Sequence, residues 1–268
     1  MMSDLLLHHE SAIRLGCFFI VLLVLIGWEW RWPRRMLSLP RARRWPANLG
    51  IVIIDSLVLR LTFPVLAVGA AGFAEAQGWG LWHWLHAPFW LALIGSLLLL
   101  DLTIYGQHVL FHRIPILWRL HRMHHTDLDF DATTALRFHP LEIVLSMLIK
   151  LVVVVALGVP PVAVVLFEVI LNAAAMFNHG NVALPKRLDR GLRWIVVTPD
   201  MHRVHHSVRV EETDSNFGFS VSWWDRLFGT YRDQPQDGHT GMTVGLEYFR
   251  DRQATRLDGL LMQPFLNR

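Results

Sequence analysis

Histidines are the residues of this sequence whose spacing most clearly predicts chemistry. Ten of the fifteen histidines lie between positions 108 and 206. They read His108-x-x-x-His112, His121-x-x-His124-His125 and His202-x-x-His205-His206, with His139 and His179 as single residues. Residues three and four positions apart lie on one face of an α-helix, so each pattern turns two or three imidazoles to the same side. Imidazole suits zinc, copper, iron and nickel, and ten imidazoles exceed what one ion can use. The sequence therefore predicts a site for two metal ions.

The residues around these histidines exclude several kinds of metal site. The chain contains no Glu-x-x-His or Asp-x-x-His pair, the signature of carboxylate-bridged di-iron bundles, and no His-Glu-x-x-His motif of zinc peptidases. Its single cysteine, Cys17, rules out a zinc site built from cysteines. A haem group would be held by only one or two histidines, so a set of ten histidines argues against a haem site. Two irons that activate oxygen fit best, and the alternative is a membrane zinc protein, hydrolytic or structural, active without oxygen or reductant.

Composition predicts an integral membrane protein. Of the 268 residues 53% are hydrophobic, the mean hydropathy is +0.35, and five apolar runs are long enough to suggest membrane helices. These runs are Ile13–Trp30, Leu49–Ala74, Phe89–Gly106, Leu141–Leu157 and Pro161–Phe177. The last two are short, so a hairpin that crosses only partly is the alternative to two full spans. We predict an all-α membrane bundle of four to five transmembrane or hairpin helices within residues 13–177, in a single domain over residues 1–268, with a cytoplasmic helical cap that carries the histidines.

Charge predicts the orientation of this bundle. Six arginines follow the first run, whereas residues 1–13 and 73–88 contain neither Lys nor Arg. Under the positive-inside rule the arginine-rich loop is cytoplasmic, and counting the spans places the ten histidines on the same side. His83 and His86 then lie at the opposite interface, and His8, His9 and His239 lie in tails. Anionic lipid headgroups suffice to explain the basic pI of about 9.5, and nothing indicates a nucleic acid partner. The arginines are Arg31, Arg34, Arg35, Arg41, Arg43 and Arg44.

We call the three clustered histidine motifs histidine boxes: His108-x-x-x-His112, His121-x-x-His124-His125 and His202-x-x-His205-His206. Their order along the chain resembles that in the fatty acid hydroxylase/sterol desaturase superfamily of membrane di-iron oxygenases. The similarity extends over roughly residues 90–232, and residues 233–268 form a C-terminal tail outside it. Further segments carry the resemblance: Asp101-x-x-x-Tyr105-x-x-His108, Arg137-Phe138-His139-Pro140-Leu141-Glu142, Asn178-His179-Gly180-Asn181, Thr198-Pro199-Asp200-Met201-His202-Arg203, Asp214-x-Asn216-Phe217-Gly218 and Trp224-Asp225-Arg226-Leu227-Phe228-Gly229-Thr230-Tyr231.

This resemblance implies an O2-dependent lipid hydroxylase that acts on a sterol, a fatty acyl chain or another membrane lipid, with desaturation as the alternative. It implies two irons, which zinc can replace, held by all ten histidines, His139 and His179 included. No His-Pro-Gly-Gly haem-binding segment is present, so electrons are expected from a separate ferredoxin- or cytochrome-type protein with its reductase. Residues that orient metal-bound histidines are usually carboxylates or other hydrogen-bonding groups. The candidates here are Asp101, Tyr105, Asp200, Asp214, Asn216 and Asp225.

Overall fold

The computed structural model describes residues 2–267, and its regular structure is helical. Among these residues the only β-type pairings are isolated bridges such as Pro33 with Val182, so the predicted all-α fold is confirmed. The α-helices are α1 (Met2–His8), α2 (Glu10–Arg31), α3 (Arg41–Thr62), α4 (Ala67–Gln77), α5 (Leu81–Trp84), α6 (Phe89–Arg113), α7 (Pro115–His125), α8 (Pro140–Leu157), α9 (Pro161–Asn178), α10 (Lys186–Leu192), α11 (Pro199–His205), α12 (Val210–Thr213), α13 (Trp223–Leu227), α14 (Gly238–Gly241) and α15 (Leu257–Met262). Short 3₁₀ turns occupy Ala132–Leu136, Arg252–Thr255 and Gln263–Phe265.

Five helical segments of the described chain are long and apolar enough to cross a membrane. They are α2, the segment Arg41–Trp84, α6, α8 and α9. Their outer surfaces are apolar, as the 86% exposure of Leu61 and the 68% exposure of Val152 show. Such surfaces are stable against lipid and costly against water. The chain is a multi-pass membrane protein.

The second predicted span differs from its observed form. The apolar run Leu49–Ala74 is divided, because α3 begins earlier, at Arg41, and ends at Thr62, and α4 begins only at Ala67. Phe63 is extended and precedes Pro64, as expected for a residue before proline. The hydropathy pattern does not reveal this break, because most residues on both sides of it are apolar.

The hairpin of α8 and α9 runs from the histidine end of the bundle to the opposite end. Each helix has 18 residues and is about 27 Å long, close to the ~30 Å of a bilayer core. Its tip, Gly158, lies against the backbone of Gly80 so closely that a Cβ on Gly80 would be 2.1 Å from the Gly158 nitrogen. Both glycines have positive φ. The tip therefore packs beside the loop between α4 and α5, while His139 and His179 flank the base of the hairpin.

The C-terminal segment, residues 233–268 in the sequence prediction, packs against the cap. Leu260 of α15 is fully buried with Ala47 and Ile51 of α3 and Met123 of α7. His239, expected in a tail, is also buried and lies 3.6 Å from an Asp200 oxygen. The packing of Leu260 against Met123 fixes the outer side of α7, the helix that carries the second histidine box, and His239 lies against α11, which carries the third.

Candidate metal centre

Nine of the ten predicted histidines converge at one end of the bundle, in two adjacent groups. Within each group one ring nitrogen of every histidine lies within 4.8 Å of the chosen nitrogens of the others, which is close enough for one ion to contact several of them. The rings are buried. Group A consists of His108, His112, His121, His125 and His205, and group B consists of His124, His179, His202 and His206.

Each His-x-x-His-His box contributes to both groups. In α7 the outer pair His121 and His125 belongs to group A and His124 to group B; in the α11 box His202 and His206 belong to group B and His205 to group A. At 3.6 residues per turn, positions i and i+4 point about 40° apart, whereas i+3 points to the other side of i by about 60°. One box therefore supplies histidines to two neighbouring sites. The α7 box gives two histidines to group A and one to group B, whereas the α11 box gives one to group A and two to group B.

A single loop holds three histidines of group A. The Nδ1 atoms of His108 and His205 lie 2.8 Å from the carbonyl oxygen of Phe217 and 2.7 Å from that of Ser215. A carbonyl only accepts, so each Nδ1 carries the proton and donates it, which leaves the Nε2 lone pair free to bind a metal. The third histidine, His112, places Nδ1 3.3 Å from an Asp214 oxygen.

This loop is itself fixed by two of the residues predicted to support the ligands. Asn216 has a positive φ of 52°, and its side chain bonds the Met201 carbonyl and both backbone polar groups of Arg232. Asp225 accepts hydrogen bonds from the backbone amides of Phe217 and Gly218, at 2.8 and 2.9 Å. The carbonyls that orient the histidines are thereby held in place.

The remaining predicted supporting residues contact no histidine of the two groups. Tyr105 bonds Thr230, which in turn donates to Asp225, so Tyr105 lies at the end of that chain of contacts. Asp101 accepts from the indole nitrogen of Trp224 at 2.9 Å. Asp200 pairs with Arg34 and Arg203 beside α11.

Glu142 is a supporting residue that the sequence reasoning did not select. Its carboxylate lies 2.7 Å from Nδ1 of His121, and both side chains are buried. The available signal was a carboxylate near the start of a mostly apolar helix, where an unpartnered charge is costly. Contact with a carboxylate fixes the ring and increases the basicity of the opposite nitrogen.

Group B is organised around His179, the residue that ends α9. Its Nδ1 donates to the Ala175 carbonyl at 2.7 Å, which leaves Nε2 as the lone-pair nitrogen. That Nε2 lies 3.0 Å from Nε2 of His124 and 3.1 Å from Nε2 of His206. Three ring nitrogens that approach this closely suit a shared cation.

Burial sets the protonation of these rings. It lowers the pKa of His121 and of His179 to about 3, and it holds the pKa of His124, His125 and His205 well below its ordinary value. The imidazoles are therefore neutral near pH 7, which is the form that binds metals. In group A the Nε2 atoms of three rings are buried without a hydrogen-bond partner among the described residues, namely those of His108, His121 and His205. Neutral rings with inward lone pairs fit two divalent cations.

His139 lies in neither group. Its Nε2 is 3.2 Å from the Leu261 carbonyl, and its Nδ1 accepts from the backbone amide of Leu141, so it caps the start of α8. We leave it out of the proposed ligand set for this reason. His83 lies at the other end of the bundle, beside Gly158.

Replacing Glu142 with Gln should weaken metal binding more than replacing Asp214 with Asn. Losing a carboxylate behind a metal-bound histidine typically costs about 10–100-fold in metal affinity or activity. Glu142 is buried and 2.7 Å from its histidine, whereas the Asp214 side chain is 35% exposed and 3.3 Å away. Competition with a chelator, followed by metal analysis of each variant, measures the difference. Equal metal retention in the two variants would contradict the role given to Glu142.

The fold and the site together define a polytopic helical membrane protein with two adjacent groups of buried histidines that could each hold a metal ion. A family model described as fatty acid hydroxylase matches residues 93–230, just over half of the chain. The chain belongs to the fatty acid hydroxylase family, which confirms the resemblance seen in the histidine boxes.

Named relatives are lipid-modifying enzymes. Alkylglycerol monooxygenase of Xenopus tropicalis is 26% identical over 242 residues, covering 88% of this chain and 50% of the relative. Ornithine lipid hydroxylase OlsE of Rhizobium tropici is 25% identical over 59% of this chain and 49% of its own length. Cholesterol 25-hydroxylase of Rattus norvegicus is 25% identical over 73% of this chain and 64% of its own length. The chain thus spans about half the length of the first two relatives. No solved structure matches it significantly.

Proposed function

We propose that the protein is an O2-dependent lipid hydroxylase with a di-iron centre held by the nine histidines of groups A and B. The observation that carries this proposal is the interlocking of the two groups, because each of the two His-x-x-His-His boxes serves both groups and the two ions must therefore be neighbours. Two adjacent irons supply an oxidant, formed from O2 and two electrons, that can hydroxylate an unactivated C–H bond.

The protein's own residues provide an apolar approach to this centre. Phe219 lies with its ring centre 5.2 Å from that of His108 and 6.0 Å from that of His202. The same ring belongs to an apolar cluster that includes Leu22 and Leu25 of α2 and Met176 of α9. Phe219 thus connects the histidines with the apolar side chains of α2 and α9. This side therefore suits an alkyl substrate and excludes water.

The proposal also includes the orientation of the protein in the membrane and the source of its electrons. With the arginine-rich segment on the cytoplasmic side, the histidines face the cytoplasm, where a soluble reductase system operates. The reaction consumes two electrons and two protons for each O2, with one oxygen atom entering the lipid and the other leaving as water. We assign the electrons to a separate ferredoxin- or cytochrome-type protein with its reductase.

Lipid analysis under ¹⁸O2 tests the function. Cells that produce the wild-type protein should contain a lipid heavier by one labelled oxygen, and cells that produce a His125→Ala/His206→Ala variant should lack it. A product that has lost two hydrogens without gaining oxygen would instead identify a desaturase. A product formed by zinc-loaded protein without oxygen or reductant would contradict the proposal and support the zinc alternative.

A further inference from the structure

A cavity with both polar and apolar walls lies outside the metal centre, where the end of α2 meets the start of α3. It has a volume of about 570 Å³ and opens beside two strongly exposed apolar side chains, Trp30 and Met36. Its polar wall is formed by Arg35, Arg41 and Asn181, with Glu29 behind them. The cavity thus combines cationic groups with an apolar rim.

The guanidinium groups of the two arginines in the wall are only partly paired within the protein, so they can bind an anion in the cavity. The Arg35 guanidinium donates to a neutral carbonyl, that of Met242, and burial lowers its pKa although Asp129 opposes this. Arg41 keeps Nε buried without a hydrogen-bond partner among the described residues, and only its Nη2 approaches Glu29, at 3.5 Å. By contrast, Arg44 is saturated by Asp127 and Asp131.

Glu29 offsets part of the charge of Arg41, while the other oxygen of its carboxylate is committed to the fold. Its Oε1 accepts from the backbone amides of Ala132 and Asn181, at 2.8 and 3.0 Å. These bonds, with those between Asn181 and Arg35, connect the cavity wall to the segment that carries His179. An anion in the cavity would therefore meet two guanidiniums on a rigid frame.

The position of the rim distinguishes a lipid from a soluble anion. Trp30 lies in the last turn of α2, a candidate membrane span, and is 67% exposed, while Met36 is 86% exposed. Tryptophans at the end of a span occupy the headgroup level of a bilayer. Arginine guanidiniums match phosphate oxygens in a bidentate geometry. We propose that this cavity binds the phosphate of an anionic membrane lipid, whose acyl chains lie along Trp30 and Met36.

Native mass spectrometry of the full-length protein in a neutral detergent tests this site by binding alone. Phosphatidylglycerol should bind, whereas phosphatidylcholine and inorganic phosphate at the same concentration should bind at least about tenfold more weakly. An Arg35→Gln/Arg41→Gln variant should lose at least about tenfold in affinity for phosphatidylglycerol, and Arg35→Lys/Arg41→Lys should recover part of it. Arg43→Gln removes one positive charge from an exposed residue of α3, the helix that begins at Arg41, and should bind as wild type.

A second pair of variants covers the case in which the double arginine variant does not fold. Met36→Asp places a negative charge on the exposed rim and should weaken phosphatidylglycerol binding, whereas Val210→Asp, at an exposed residue elsewhere, should not. Equal binding by Met36→Asp and Val210→Asp would overturn the proposal. So would binding of inorganic phosphate as tight as that of the lipid, or equal binding of the two phospholipids. None of these outcomes depends on catalysis, so a failure here leaves the proposed hydroxylase to be judged separately.

Discussion

Removing the adjacent histidines His124 and His125 should cost both metals, whereas removing His124 and His179, which share a spatial group, should cost one. His124→Ala/His125→Ala takes one ligand from each group, although the two residues are adjacent in sequence. His124→Ala/His179→Ala takes two of the four ligands of group B and none of group A, although the residues are 55 positions apart. We expect less than one iron per chain in the first variant and about one in the second, because group A keeps all five nitrogens there. Both should lack turnover.

Iron analysis after anaerobic reconstitution measures this difference. His139→Ala is the matched control, because it removes a histidine of the same sequence region whose nitrogens contact a carbonyl and a backbone amide. It should keep about two irons, with any loss appearing as lower thermal stability. If the adjacent pair cost one iron and the distant pair cost two, the assignment of ligands to the two groups would be wrong.

Replacing Arg44 with Met should destabilise the protein severely. Arg44 is fully buried and binds Asp127 through two hydrogen bonds of 2.7 Å and Asp131 through a third of 2.7 Å. Although burial alone would raise it, Arg44 and Arg137 hold the pKa of Asp127 below its ordinary value, so the carboxylate is charged. Removing one partner of a buried ion pair costs about 3–5 kcal/mol, because the remaining charges stay buried.

Thermal unfolding in detergent, with the recovered monodisperse fraction, checks this expectation. Arg43→Met is the control, since Arg43 is the exposed neighbour, and its change should stay within about 0.5 kcal/mol. The Arg44 variant should show a much lower midpoint or no folded fraction. A midpoint equal to that of the Arg43 variant would mean that the buried network contributes little to stability.

The sequence was sufficient to predict the helical membrane fold, because long apolar runs have few other stable forms. It was also sufficient to predict the convergence of the clustered histidines, because the helical period fixes which rings share a face. The break before Pro64 was the exception in the spans, where a local backbone restriction outweighed hydropathy.

The division of the histidines between the two groups could not be predicted from the sequence, because it depends on how the helices are rotated relative to one another. That rotation assigns His124 and His125 to different groups and leaves His139 outside both. The carbonyls of Ser215 and Phe217 orient histidines through the backbone, so no side-chain pattern marks them. The arginine-rich segment is a similar case: its charges suggested lipid headgroups, but Arg44 turns inward to two aspartates.

The Mössbauer spectrum of protein reconstituted anaerobically with ⁵⁷Fe is the most direct test for the di-iron centre. We expect about two ferrous ions per chain in two environments of equal area, because one group offers five nitrogens and the other four. Exposure to O2 should oxidise both ions together, and a reductant should restore the ferrous spectrum. One iron per chain, or ferrous ions that O2 leaves unchanged, would contradict the assignment of a di-iron oxygenase.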